Sequence, residues 1–429
     1  MVREWTAHVG VNAHRLESAH PIPSLAAISH ARWEHIRPRA DVTLAQRDRV
    51  RGALIGLAVG DAVGTTVEFR SPGTFEPVTD MIGGGPFHLS PGQWTDDTSM
   101  ALCLAHSLIE RRTFDARDQM QRYVNWRDNG YLSSTDRCFD IGSTVSQSLR
   151  RFERDDDPFA GVTRGRTAGN GSLMRLAPIA MYYFDQYQVL QMAADSSRTT
   201  HGARVAIDCC RYLAGLIVGA IRGITKDLLL APDFEPFPGC WDIEPLHPAV
   251  QMVVFGSYKR KKPPEIRGRG YAVDALEAAL WAFYRSDNYR EGCLLAVNLG
   301  DDADTTAAIY GQLAGAFYGE RGIPAEWRSR LARKDLLDRT AEALFQLAFD
   351  RVPSLGTLTE HAHAQRAELL SAEAGDAHQA LAKFLAAERA AKEEMGVFEY
   401  YMSGPSYGQA LHDEVRLQLR IEAGLALQA

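Results

Sequence analysis

The 429-residue chain has no pair of cysteines at C-x-x-C spacing; Cys103, Cys138, Cys209, Cys210, Cys240 and Cys293 are scattered along it. That pattern excludes a recognisable zinc motif or a disulfide framework, and it suits a reducing compartment. An apolar signal segment is missing from Met1-Val2-Arg3-Glu4-Trp5, and the longest apolar stretch, Tyr212 to Ile221, is too short to span a bilayer. A cytoplasmic location is the expectation. Basic charge is not in excess either. The formal net charge of −7 gives a field that repels nucleic acid, so polyanion binding is not the default. Strand-like alternation is scarce, and there is neither a βαβ rhythm nor a repeat of fixed period.

What the chain does have is helical period. From Arg49 to about Asp350 apolar residues recur at helix spacing, as in Met100, Leu104 and Leu108 or Leu276, Ala279, Leu280 and Phe283. An all-α fold is expected. With 45% hydrophobic and 24% charged residues the chain is globular in composition and long enough to bury a sizeable core. Residues 1–46 read differently: Pro21, Pro23 and Pro38 interrupt them, Trp5 and Trp33 lie in them, and helical period is weak, which predicts an extended arm. Residues 47–352 form the expected main domain. Residues 353–429 turn into an Ala/Glu-rich helix from Glu360 to Glu394, a break at Ser403-Gly404-Pro405, and an amphipathic stretch to Leu427, together a helical appendix.

Two acidic helix starts carry the chemistry. In Gln93-Trp94-Thr95-Asp96-Asp97-Thr98-Ser99, successive oxygen ligands cannot share one face of a helix, so the cluster must sit in a turn that enters one. Asp and Thr are equally at home as N-caps, and alone the cluster decides little. The arrangement recurs in Asn298-Leu299-Gly300-Asp301-Asp302-Ala303-Asp304-Thr305-Thr306, again ahead of an apolar helix. Two such starts can supply the oxygen shell of a pair of hard cations such as Mg²⁺ or Mn²⁺. In Gly60-Asp61-Ala62-Val63-Gly64, glycines break an apolar helix and leave Glu68 exposed beyond it, as a candidate ligand or general base and equally as a solvated charge. Gly169-Asn170-Gly171-Ser172 reads as a glycine loop opening a helix, whose free N–H groups suit a phosphate, or as an ordinary turn. Thr200-His201 is expected to begin the next helix, where a lone histidine more often packs than catalyses. The basic run Lys259-Arg260-Lys261-Lys262, with Arg267 and Arg269 beyond it, reads as a solvated loop or an anion trap.

Taken in order, these segments resemble the ADP-ribosylglycohydrolase family. The resemblance runs from Arg51-Gly-Ala-Leu-Ile-Gly-Leu-Ala-Val-Gly-Asp61 with Glu68, through Thr95-Asp96-Asp97-Thr98, Phe139-Asp140-Ile141-Gly142, Gly169-Asn170-Gly171 with Met174-Arg175, and Thr200-His201, to the Asn298–Thr306 segment. It implies a compact orthogonal helical bundle with a central cleft holding two Mg²⁺ or Mn²⁺ ions. The implied metal ligands are Thr95, Asp96, Asp97, Asp302, Asp304 and Thr305. Glu68, Asp97, Asp140 and Asp302 are the implied catalytic residues. Asp140, Gly142, Ser143, Gly169, Asn170, Gly171, Ser172, His201 and Tyr271 would contact substrate. The implied activity is metal-dependent removal of ADP-ribose from a modified protein, with arginine as the linked residue by the likeness of the Asn298–Thr306 segment to arginine-specific members. The arm of residues 1–46 resembles the N-terminal extension of members that act as immunity proteins, which would make an ADP-ribosyltransferase toxin a partner. A non-catalytic protein that sequesters such a toxin or ADP-ribose is the alternative, and filled metal-ligand positions speak against it.

Overall fold

A computed structural model describes residues 41–163, 168–237 and 239–350. Residues 1–40 of the expected arm and the whole of the expected C-terminal appendix lie outside the described residues. Within these residues every regular element is helical; the pairings of β type are isolated bridges, such as Gly169 with Tyr271. The helices the site depends on are α1 (Asp41–Gly64), α2 (Asp96–Arg111), α3 (Ala116–Asn129), α4 (Ser143–Asp155), α5 (Ala177–Tyr183), α6 (Val189–Arg198), α7 (Arg204–Ile221), α8 (Ala272–Arg285), α9 (Tyr289–Val297) and α10 (Ala303–Tyr318). The first of these begins at Asp41, inside the segment that sequence alone assigned to the arm.

The pair α1 and α10 forms the spine. The glycines that sequence alone suggested would break α1 do not; the helix runs unbroken through Gly52, Gly56 and Gly60 to Gly64. Their role is close approach. A Cβ on Gly56 would lie 2.2 Å from the Gly311 carbonyl oxygen, and one on Gly64 would lie 2.4 Å from the Asp304 Cα. No side chain fits there, so backbone packs on backbone and the C-terminal end of α1 is fixed against the first turn of α10. The stretch Leu44–Val67 is long and apolar enough to cross a membrane, but most of it is buried among other helices here.

Packing against this spine explains the apolar stripes. Every residue of α7 except Arg204 is buried, and α5 is buried throughout. Gln312, buried in α10, donates through Nε2 to the carbonyls of Leu173 and Met174 and accepts from the Ala177 N–H. One amide thereby satisfies the backbone of the turn before α5, where a buried unpaired peptide group would be costly.

Candidate metal centre and substrate cleft

The capping reading of the two acidic starts fails on geometry. Thr95 and Asp302 occupy the N-cap positions of α2 and α10, yet neither side chain makes a cap hydrogen bond. Their oxygens are spent across the site instead. The Thr95 hydroxyl lies 2.9 Å from Asp61 Oδ1 and 3.3 Å from Asp304 Oδ2, while Thr305 donates to Asp97 Oδ1 at 3.1 Å. The threonine of each helix start thus reaches an aspartate of the other, which locks the two starts together. Ahead of α10, Gly300 and Asp301 both take left-handed backbone, with φ of 66° and 53°. Aspartate tolerates this conformation better than most residues. The resulting turn is stitched on both flanks, by Asp301 N–H to Arg70 O, Phe69 N–H to Asp301 O, and Asp302 N–H to Gly268 O.

Asp61, quoted in the motif but given no role from sequence, organises the first start. Its Oδ1 accepts from Thr95 N–H and Oγ1, and its Oδ2 from Thr98 N–H and Oγ1. With four donors on two oxygens, Asp61 has little left for a cation and instead holds the turn that carries Thr95, Asp96 and Asp97 in place. The clue in the sequence was a carboxylate inside an otherwise apolar helix, since such a group is almost never buried without partners.

Two carboxylate triads result. Asp61, Asp97 and Asp304 offer oxygens within 4.8 Å of one another, and so do Glu68, Asp140 and Asp304, with Asp304 shared. Glu68 is not exposed, as sequence suggested; it is only 3% accessible, because the Asp301 turn and Gly83-Gly84-Gly85 fold over the segment that carries it. Among the described residues no Lys or Arg pairs with these groups. The contact of Arg269, at 4.0 Å, goes to neighbouring Asp301. Burial, then Asp304 and Asp140, push Glu68 up to about 12, and burial, then Asp302 and Asp61, push Asp140 up to about 6. Burial likewise holds Asp96, Asp97 and Asp304 well above the usual carboxylate range.

Residues present fit hard divalent cations. Asp97 Oδ2, Asp304 Oδ1 and Glu68 Oε2 are buried and have no hydrogen-bond partner. Buried acceptors of this kind are normally satisfied, and carboxylate oxygens around a common point are the donor set that Mg²⁺ or Mn²⁺ takes. Asp96 and Thr305 line the same buried pocket, and half-buried Asp302 borders it.

The glycine loop sits beside this acid cluster, joined by Asn170 Nδ2 donating to Asp302 Oδ2 at 2.7 Å. Contrary to the expectation from sequence, it does not open a helix directly. Asn170 N–H goes to Gly270 O, Leu173 and Met174 N–H both turn back to Asn170 O, and α5 starts only at Ala177. Ser172 points its hydroxyl inward, between Ser197 Oγ and Cys210 Sγ, so its side chain is not presented to a ligand. His201 lies in the turn ahead of α7 instead of inside that helix. It is buried against Gly169 and Gly171, where a Cβ on Gly171 would come 2.9 Å from the ring, and its Nδ1 lies 2.8 Å from Thr200 Oγ1. Burial first, then Arg175, lowers His201 to about 3, which keeps the imidazole neutral. Tyr271, partly exposed, pairs with Gly169 across the bridge, and exposed Gly142 and Ser143 start α4, whose Val145 packs near Gly171. The basic run goes to structure: Lys259 donates to Leu230 O, and Lys261 pairs with Glu277.

Arg175 was quoted without a role. It is fully buried and bonds neutral acceptors, Gly171 O, Ser196 O, Thr199 Oγ1 and Thr200 Oγ1, with Met100 Sδ at 3.9 Å, beneath the Tyr123 ring. Nothing in its local spacing marks it, because those partners come from three separate segments.

An all-helical scaffold with paired acidic helix starts around a buried oxygen cluster defines a metal-dependent enzyme class. The chain belongs to the ADP-ribosylglycohydrolase family, whose profile matches residues 43–353. It is 42% identical to the ADP-ribosylarginine hydrolase Tri1 of Pseudomonas putida (strain GB-1), over 77% of this chain and 85% of that protein. It is 32% identical to the ADP-ribosyl-[dinitrogen reductase] glycohydrolase of Rhodospirillum rubrum, over 70% of this chain and 97% of that one. A solved structure titled ADP-ribosylglycohydrolase-related protein complex superimposes with a TM-score of 0.62 at 45% identity, covering 71% of this chain and 99% of its own. The protein is therefore a glycohydrolase that acts on ADP-ribosylated protein.

Proposed function

We propose that the protein hydrolyses the C1″–N bond that joins ADP-ribose to an arginine side chain, with two Mg²⁺ or Mn²⁺ ions. The observation that carries this is the pair of triads sharing Asp304, with free oxygens on Asp97, Asp304 and Glu68. Asp96, Asp97, Asp302, Asp304, Thr95 and Thr305 would hold the ions, and bound cations would supply Lewis-acid polarisation of the ribose hydroxyls and of water. The arginine linkage is favoured by the 42% identity to proteins named ADP-ribosylarginine hydrolase.

The chain's own residues supply the rest. With the positive charge of bound cations beside it Glu68 would be a carboxylate, and its free Oε2 would then accept the proton of the attacking water, while Asp140 beside it orients the sugar. Water delivers hydroxyl to C1″, the bonding pair goes to the guanidine nitrogen, and the proton passes through Glu68 to that nitrogen. The Gly169–Ser172 loop backbone and neutral His201 flank the diphosphate and adenosine side, and the dry wall they form excludes competing water. The finer reading of residues 1–46, binding to a cognate ADP-ribosyltransferase toxin, rests on the resemblance of that arm; equal capture of the toxin by full-length protein and by protein lacking residues 1–45 rejects it.

The test is incubation with arginine-ADP-ribosylated protein, with Mg²⁺ and with EDTA. ADP-ribose release that stops in chelator is expected. Absence of release, or release from serine but not arginine adducts, overturns the reading.

A further inference from the structure

Glu68 and Asp140 stand at one end of the acid cluster, and each has a phenylalanine as its chain neighbour, Phe69 and Phe139. Phe87 bridges the two. Its ring centroid is 6.4 Å from Phe69, edge-on, and 5.1 Å from Phe139. The three rings thus run from the Glu68 side of the cleft to the Asp140 side. Phe69 is 66% accessible. It also holds a left-handed backbone, φ 61°, a conformation that glycine would adopt more easily. Its N–H bond to Asp301 O, at 2.7 Å, fixes that posture. Phe87 is delivered by Gly83-Gly84-Gly85, all at positive φ, whose Gly83 carbonyl accepts from Thr66. An exposed aromatic held in a strained conformation beside reactive carboxylates is the pattern of a binding surface.

We infer that Phe69, Phe87 and Phe139 form the platform that receives the guanidinium of the substrate arginine, an assignment that rests on the arginine reading above. The guanidinium is bonded to C1″, so once the ribose occupies the Glu68–Asp140 end, the group leaves the cleft past these rings. A planar cation lies favourably on an aromatic face. A serine or other uncharged linkage gains nothing from such a surface, so the platform contributes to the choice of linkage.

Steady-state kinetics of Phe69→Leu and Phe69→Tyr on ADP-ribosylarginine, with inhibition by free ADP-ribose, test this. Phe69→Leu keeps apolar bulk and loses the ring; KM is expected to rise about two- to fivefold. Phe69→Tyr keeps the wild-type KM, and the inhibition constant of ADP-ribose is the same in all three proteins. A wild-type KM in Phe69→Leu, or a parallel weakening of ADP-ribose, overturns the platform while the arginine reading stands. A wild type that releases nothing from arginine overturns both.

Discussion

The Gly169–Ser172 loop touches two buried charged regions, and they are built in opposite ways. On one side Asn170 bonds Asp302 of the acid cluster, where carboxylates crowd together with free oxygens and no cation among the described residues. On the other side the Gly171 carbonyl accepts from Arg175, whose charge is buried but whose Nη atoms meet oxygen acceptors. The arginine region leaves Nε of Arg175 without a partner, but protein oxygens meet its charge at both Nη atoms. The acid region has no such counterweight: in the absence of cations its burial opposes ionisation of Asp96, Asp97 and Asp304. Equal burial therefore has different meanings, a structural post in one case and a site for ligands in the other.

Breaking the acid side has the largest expected effect. Asp97→Asn or Asp304→Asn should lower kcat/KM at saturating Mg²⁺ by about a thousandfold or more, since the chemistry at stake is worth several kcal/mol. The same variants should melt higher than wild type in EDTA, because each replaces a buried carboxyl whose ionisation the cation-free fold opposes with a neutral amide. Breaking the arginine side should cost stability first. Arg175→Met takes the side-chain donor from the Gly171 carbonyl and one of two side-chain donors from the Ser196 carbonyl, and urea denaturation is expected to show a loss of about 2 kcal/mol.

Two smaller effects sharpen the contrast. In Asp61→Asn the amide cannot accept from both Thr95 and Thr98 N–H, so the apparent Mg²⁺ affinity, read from activity against metal concentration, should weaken about 10- to 100-fold. His201, held neutral down to about pH 3, belongs to the arginine side. Its folded value lies below the free value of about 6.5, so the unfolded chain binds the extra proton between those limits and stability falls as pH falls. Relative to His201→Gln, wild type should lose about 1.4 kcal/mol per pH unit within that window, measured by denaturation with Mg²⁺ present.

The helical class and both acidic starts were readable from sequence, because helical period and an Asp/Thr cluster ahead of an apolar run are local signals. What was misread depends on distant partners. The α1 glycines looked like breaks because only the facing α10 backbone reveals why side chains are missing there. Glu68 looked exposed because the Asp301 turn and the glycine triplet that cover it come from elsewhere in the chain. The reading of Gly169–Ser172 assumed a helix at once after the glycines, whereas Asn170 O closes a turn with the Leu173 and Met174 N–H groups and Gln312, from α10, holds the carbonyls of those two residues. Asp61 and Arg175 were visible as odd residues, a carboxylate and a guanidinium among apolar neighbours, but their roles lie in contacts that spacing does not encode.

The central claim, that the acid region is incomplete without cations, is tested most directly by thermal unfolding of the wild type in EDTA and over a Mg²⁺ titration. The account predicts a Tm that rises with Mg²⁺ as expected for a ligand bound only by the folded state, and a rise that disappears in Asp304→Asn. The same Tm in EDTA and in millimolar Mg²⁺ and Mn²⁺ would contradict it.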